Sequence, residues 1–65
     1  MKITVNGQTA EVIGPSLSAV LQELGYGSAK IATAVNEVFV PTGTRAATLL
    51  QADDRLEIVA PQQGG

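Results

Sequence analysis

The segment that most constrains the fold of this chain is a short amphipathic stretch bounded by Ser16 and Gly25. Its apolar residues recur with the i, i+3, i+4 and i+7 spacing that forms one stripe along an α-helix. They are Leu17, Val20, Leu21 and Leu24. Ser16 suits the N-cap because its hydroxyl can accept a hydrogen bond from an unpaired amide of the first turn, and Gly25 stands where a glycine commonly terminates a helix. We therefore predict one helix that begins at Leu17.

Residues on both sides of this helix show the patterns of β-strands. Residues 2–5 alternate polar and apolar side chains. The Asn6-Gly7 dipeptide that follows is a strong hairpin signal, because both central residues of a type I′ turn need positive φ. Residues 9–13 are then the returning strand. The other predicted elements are strands at residues 31–35, 38–40 and 55–59, a single helical turn within residues 45–50 and a turn at Asp53-Asp54.

One helix can bury its apolar stripe economically only by covering one face of one sheet. The last predicted strand can enter that sheet beside the first strand and parallel to it, which is the β-grasp arrangement of the α+β class. We expect a mixed sheet of about five strands in the order 2-1-5-3-4. Residues 1–60 are expected to form a single β-grasp domain, and residues 61–65 a flexible C-terminal tail.

The register of the last strand follows from its alternation. If Leu56 and Ile58 face the helix, then Arg55, Glu57 and Val59 face outward. The predicted core consists of Ile3, Val5, Val12, Leu17, Val20, Leu21, Leu24, Val35, Leu50, Leu56 and Ile58.

The composition leaves few residues for catalysis. The chain has no cysteine and no histidine, so disulfides, thiolate nucleophiles and zinc sites built from these ligands are excluded. Asp53-Asp54 could be an acid pair or a cation ligand, but a solvated turn is the better interpretation because two adjacent carboxylates supply too few oxygens for a calcium site. We expect no catalytic residue, no metal site and no cofactor bound by the chain itself.

The charge pattern and the apolar runs bear on partners and location. The net charge is −2 with only four basic residues, which are scattered, whereas nucleic-acid binding usually needs a basic face and aromatic platforms. Tyr26 and Phe39 are the only aromatic residues. No apolar run is long enough to span a bilayer, and the first residues lack a signal-peptide pattern. We expect no nucleic-acid or membrane partner and a cytoplasmic location.

The C-terminal Gly64-Gly65 pair is the candidate functional feature. Two terminal glycines also occur by chance or at a frayed end. A glycine pair is, however, the thinnest peptide that can thread a narrow channel into another protein's active site. The terminal carboxylate is ionised at neutral pH and able to attack an activated phosphate. We therefore expect Gly64 and Gly65 to enter a partner's active site and Gly65 to be modified there.

Several segments, in their order and spacing, carry a resemblance to a known family. They are Ala34-Val35-Asn36, Val40-Pro41, residues 49–59 and Gln63-Gly64-Gly65. With the Asn6-Gly7 hairpin and the leucine-rich helix, they make the whole chain resemble ThiS, the ubiquitin-like β-grasp family of sulfur carriers in thiamine biosynthesis. The chain departs from the family pattern at Asp53, where glycine is usual, and at Thr42, where a basic residue is frequent.

The resemblance implies a non-catalytic carrier that serves as a protein substrate of its partner enzymes. An E1-like adenylyltransferase of the ThiF type would use ATP to adenylate the Gly65 carboxylate. Sulfur from a cysteine-desulfurase relay would displace AMP and leave a Gly65 thiocarboxylate. A thiazole synthase of the ThiG type would then use that sulfur to build the thiazole ring.

A docking surface beside the tail is also expected, and the outward face of the sheet is its natural place. We predict that Val59 belongs to it, together with Phe39 or the pair Val38 and Val40. The alternative for Phe39 is a place in the core, since single exposed apolar residues are common.

Other functions fit parts of the same pattern. The small subunit of molybdopterin synthase (MoaD) resembles this chain in fold, Gly-Gly end and thiocarboxylate chemistry, so fold alone cannot separate the two. That family typically has a more aromatic last strand, whereas this chain has Ile58-Val59-Ala60-Pro61. A β-grasp binding module with an unmodified tail, a modifier conjugated to lysines and a small enzyme are the remaining alternatives.

Overall fold

The computed structural model describes residues 1–27 and 29–60. In chain order, the elements are β1 (Lys2–Val5), β2 (Gln8–Glu11), α1 (Leu17–Glu23), β3 (Ala32–Val35), β4 (Val38–Val40), a 3₁₀ helix (Thr42–Ala47) and β5 (Arg55–Val59). The predicted tail of residues 61–65 lies outside the described residues.

The strands form one mixed sheet in the order β2-β1-β5-β3-β4. β1 pairs antiparallel with β2 and parallel with β5, and β3 pairs antiparallel with both β5 and β4. The predicted β-grasp fold and strand order are confirmed. The central position of β5 follows from the parallel pairing, because a strand far along the chain enters between the two hairpins.

Two turns with positive φ make the hairpins. Asn6 and Gly7 have φ of 49° and 83°, as a type I′ turn requires, and the Asn6-Gly7 prediction is confirmed. Asn36 and Glu37 join β3 to β4 with φ of 50° and 72°. The sequence did not indicate this second turn, because a positive φ is uncommon for a residue such as Glu37.

The helix has the predicted start and end. The Ser16 hydroxyl accepts a hydrogen bond from the Ala19 amide at 3.1 Å, and α1 begins at Leu17. Gly25 has φ of +91°, which glycine adopts without steric cost. The helix therefore ends where the chain supplies a residue free to reverse direction.

The predicted helical turn within residues 45–50 is wrong in position, since the helical residues are Thr42–Ala47. The Pro41 carbonyl starts this 3₁₀ helix by accepting hydrogen bonds from the amide and hydroxyl of Thr44, at 3.0 and 3.1 Å. Leu50 cannot continue the turn, because its amide donates at 2.7 Å to the main chain that precedes α1.

β2 is displaced from the predicted residues 9–13, because the two-residue turn pairs Val5 directly with Gln8. After β2 ends, Ile13 is 85% exposed. Its amide and that of Gly14 donate to the two carboxylate oxygens of Glu23, each at 2.8 Å. These hydrogen bonds, that from Ile13 first, stabilise the ionised carboxylate and lower the Glu23 pKa. Glu23 thus ties the end of α1 to the chain after β2.

The core lies between α1 and the inner face of the sheet. Most of the predicted core is buried, and Val5, Leu24 and Val35 are half-buried against it. The buried apolar residues are Ile3, Val12, Leu17, Val20, Leu21, Val40, Leu50, Leu56 and Ile58. Thr33 is the buried polar residue, and its hydroxyl donates to the Val40 carbonyl at 2.9 Å. The predicted register of β5 is confirmed, because Leu56 and Ile58 are buried whereas the alternating residues are exposed.

Candidate functional site

The candidate site consists of the tail and the sheet surface next to it. Gly64 and Gly65 lie outside the described residues, so their threading and modification remain predictions. The described chain reaches Ala60, directly after the end of β5. The sheet surface at the end of β5 is therefore the part of the site that the structure shows.

An apolar patch covers the outer face of the sheet at this end. Residues paired across adjacent strands point to the same face. Ala32 pairs with Val59, and Ala34 pairs with Phe39. We call these residues, Ala32, Ala34, Phe39 and Val59, the outer patch. Phe39 is 65% exposed and Val59 is 63% exposed, so the alternative that Phe39 belongs to the core is wrong.

The other two residues predicted for docking lie elsewhere. Val40 is only 7% exposed. It pairs with buried Thr33 on the inner face of the sheet, so its prediction as a surface residue is wrong. Val38 is 66% exposed, but it pairs with Val35 and faces the helix side of the edge strand. The three apolar residues of β4 are thus divided between the two faces by the strand alternation.

Two shallow grooves extend the outer patch. One, of about 400 Å³, is lined by Ala29–Ala32, Thr42 and Val59. The other, of about 180 Å³, lies among the outer-patch residues and is also lined by Glu57. Both grooves share Val59, so apolar surface continues on both sides of the residue that leads into the tail. Sequence reasoning missed Ala32 and Ala34, although their alternation with Thr33 and Val35 is a strand signal.

Charged side chains are placed unevenly around this surface. Arg55 and Glu37 form an exposed ion pair, with 3.3 Å between Nη1 and Oε2. Glu57 is in register with Ala34, which pairs in turn with Phe39. Lys30 lines the larger groove. The outer patch therefore contains a carboxylate within it and has charges of both signs at its margins.

Two asparagine side chains hold β5 from either side. The Asn6 carboxamide accepts from the Ile58 amide at 2.7 Å and donates to the Ile58 carbonyl at 3.1 Å. The Asn36 side-chain carbonyl accepts from the Arg55 amide at 2.9 Å, and its amide group donates to the Asp54 carboxylate at 2.9 Å. Each asparagine thus uses a turn conformation with positive φ to reach the main chain of β5. The sequence gives no signal for these contacts, because the partners are far apart along the chain.

The acidic pair before β5 belongs to a turn. Asp53 has φ of 73°. Asp54 accepts hydrogen bonds from the Gln51 amide at 2.8 Å and from the Asn36 side chain at 2.9 Å. Both Asp54 oxygens therefore serve the local structure, as the turn interpretation predicts.

Neither a metal-ligand cluster nor a membrane-spanning helix is found among the described residues. Within residues 1–27 and 29–60, no group of three or more acidic side chains is arranged to hold a metal ion. No helix in that part of the chain has the length and hydrophobicity needed to cross a membrane.

Comparison with known proteins now assigns the chain to a family. The model of the ThiS family matches residues 3–65, which include the helix, all of the sheet except Lys2, and the C-terminal glycines. The chain belongs to the ThiS family. ThiS proteins are small sulfur carriers rather than catalysts.

The fold of this ThiS-family chain is shared with a solved structure. The crystal structure of the thiamine biosynthesis protein ThiS from Geobacter metallireducens matches it with a TM-score of 0.85 and 25% sequence identity, over 100% of both chains.

A curated relative is much longer. A protein of Magnetococcus marinus named thiazole synthase is 40% identical over 67 residues, which cover 100% of this chain and 20% of that protein. This ThiS-family chain thus spans about a fifth of the length of the curated relative that it matches.

Proposed function

We propose that this chain carries sulfur as a thiocarboxylate on Gly65 for assembly of the thiazole moiety of thiamine. An E1-like adenylyltransferase would join the Gly65 carboxylate to the α-phosphate of ATP and release pyrophosphate. Sulfide would then attack the acyl carbon and expel AMP. If the sulfur comes from a cysteine-desulfurase relay, the persulfide would attack instead, and a thiol would reduce the resulting acyl disulfide to the thiocarboxylate. Thiazole synthase would receive the sulfur from the resulting thiocarboxylate.

The observation that carries this proposal is the match of the ThiS family to residues 3–65, because that span includes the C-terminal glycine pair. Activation by a partner is needed, since a carboxylate is a poor electrophile and the chain has no histidine or cysteine for nucleophilic or acid–base catalysis. Glycine at positions 64 and 65 leaves no side chain to obstruct entry into a partner's active site.

The length of the curated relative supports thiazole synthase as the recipient. A protein with that name contains a segment similar to the whole of this chain. Joining two activities in one polypeptide raises their effective concentration for each other. Such an arrangement is useful when the carrier and the synthase act on one another.

The outer patch is the proposed docking surface for the activating enzyme. Phe39 and Val59 are well exposed, although both are large apolar side chains. Burying them against a partner would be favourable by about 25 cal/mol for each Å² of apolar surface removed from water. Only Ala60 separates Val59 from the tail, so docking there would hold the tail near the partner's active site.

The test is conversion of the purified chain by the E1-like enzyme of the same organism. The intact mass of the natural protein should first show that Gly65 is its last residue. Incubation with the enzyme, ATP and sulfide should then add the mass of one sulfur-for-oxygen exchange. A matched control that lacks Gly65 should keep its mass. Failure of the natural chain to react, under conditions in which an established carrier reacts, would contradict the proposal.

A genetic experiment separates the thiamine pathway from molybdopterin synthesis. A strain without this chain should require added thiamine, and the chain should restore growth only when Gly65 is present. Growth of the deletion strain without thiamine, together with loss of molybdenum-dependent activities, would instead support the molybdopterin alternative.

A further inference from the structure

Glu57 is the charged side chain that lies within the outer patch. In the strand register it is opposite Ala34, and Ala34 is opposite Phe39. It lines the smaller groove together with Phe39 and Val59. Any partner that covers Phe39 and Val59 must therefore also cover the Glu57 carboxylate.

The fold supplies no ion-pair partner for this carboxylate within the described part of the chain. Arg55 lies two positions earlier on the same face, but its guanidinium pairs with Glu37 at 3.3 Å. The other ion pair among residues 1–27 and 29–60 joins the amino group of Met1 to Glu11. Glu57 is exposed and is therefore stabilised by water in the free protein.

Docking removes that water. A carboxylate taken out of water without a countercharge is strongly destabilised, whereas one that meets a cationic donor can contribute to affinity and orientation. We propose that the E1-like enzyme presents a lysine or arginine to Glu57, beside an apolar surface that receives Phe39 and Val59. This inference rests on the proposed function for its choice of partner and adds the charge that the partner must carry.

The position of Glu57 also explains how one contact can orient the carrier. The outer patch is otherwise apolar, and apolar contacts constrain direction weakly. A single charge pair inside the patch selects one rotation of the sheet on the partner's surface. Because β5 continues from Glu57 to Val59, that rotation also sets the direction in which the chain leaves the sheet at Ala60.

The experiment measures binding of the full chain to the E1-like enzyme by calorimetry without ATP, alongside the conversion assay. Glu57→Gln removes the charge at nearly constant size and should raise Kd about tenfold, whereas Glu57→Lys should raise it about a hundredfold. Glu11→Gln is the matched control, because Glu11 pairs with Lys2 on the same face at the opposite edge of the sheet. Its Kd should equal that of the unmodified chain.

Salt concentration tests the charge itself. Raising the ionic strength from about 0.05 to 0.5 M should weaken binding of the unmodified chain much more than binding of Glu57→Gln, because salt screens ion pairs. Equal salt dependence of the two proteins would overturn the inference, since Glu57 would then meet a neutral donor. Equal Kd values for Glu57→Gln and Glu11→Gln would overturn it as well.

The two proposals fail in different ways. Conversion of the natural chain without any effect of Glu57→Gln overturns the cationic partner and leaves the carrier function supported. Charge-dependent binding without conversion contradicts the carrier function and supports the docking inference. Absence of both binding and conversion overturns both proposals.

Discussion

Replacing Asn6 by glycine tests whether its side chain secures β5 to the first hairpin. Glycine readily adopts the φ of 49° found at this position, so the turn itself is preserved. The change removes two hydrogen bonds to the Ile58 main chain, at 2.7 and 3.1 Å. At about 1 kcal/mol for each bond, the free energy of unfolding should fall by roughly 2 kcal/mol. In a domain of this size, that corresponds to a decrease in Tm of about 8 to 16 °C.

Thermal denaturation followed by circular dichroism measures this change, with Asn36→Gly as the matched control. Asn36 has nearly the same φ, 50°. Its side-chain hydrogen bonds to Arg55 and Asp54 are exposed, whereas those of Asn6 are partly buried. Water can replace exposed bonds more easily, so we expect Asn36→Gly to lower Tm by less. A Tm for Asn6→Gly equal to that of the unmodified chain, or a larger loss in the control, would refute the reasoning.

Three further predictions concern the core, the docking surface and pH. Val40→Ala should lower the free energy of unfolding by about 2 kcal/mol because it leaves a cavity, whereas Val38→Ala should leave it within about 0.5 kcal/mol, as urea denaturation will show. Phe39→Ser should weaken binding to the E1-like enzyme without lowering Tm, because Phe39 is 65% exposed. The lowered pKa of Glu23 stabilises the fold at neutral pH, and this contribution should be lost as the pH falls below the usual value of 4.5 and through the folded-state pKa. In Glu23→Gln, the free energy of unfolding should therefore fall less steeply as the pH is lowered below 4.5.

Each of these predictions has a contrary outcome. Equal destabilisation by Val40→Ala and Val38→Ala would mean that Val40 is not packed more closely into the core than the exposed Val38. If Phe39→Ser binds the enzyme as tightly as the unmodified chain does, the outer patch is not part of the docking surface. If the free energy of unfolding falls as steeply with acid in Glu23→Gln as in the unmodified chain, the pH dependence belongs to another carboxylate.

Much of the fold could be predicted because its signals are local. The Asn6-Gly7 turn, the Ser16 cap and the alternation of β5 each depend on neighbouring residues, and all three are confirmed. The position of the 3₁₀ helix was predicted wrongly, because it depends on the hydrogen bond that the Leu50 amide donates to the chain before α1. That contact joins residues far apart in sequence and has no local signature.

β4 shows why the sequence could not predict all residues of the candidate site correctly. Val38, Phe39 and Val40 are all apolar, so alternation of polarity cannot tell which of them face the core. Pairing with β3 decides it: Val40 is buried beside Thr33, and Phe39 is exposed beside Ala34. The prediction of a docking surface therefore included one residue that the sheet buries.

The sequence by itself determined the Asn6-Gly7 turn, the helix and the inward residues of β5, because these follow from backbone preferences and side-chain periodicity over a few residues. It also supplied the glycine pair Gly64-Gly65. Only the tertiary structure brought Glu57 into a patch with Phe39 and Val59, and only it joined Asn6 to Ile58, 52 residues away. The physical reason is that these contacts arise when β5 inserts between two hairpins, and strand pairing over such distances is set by the whole sheet.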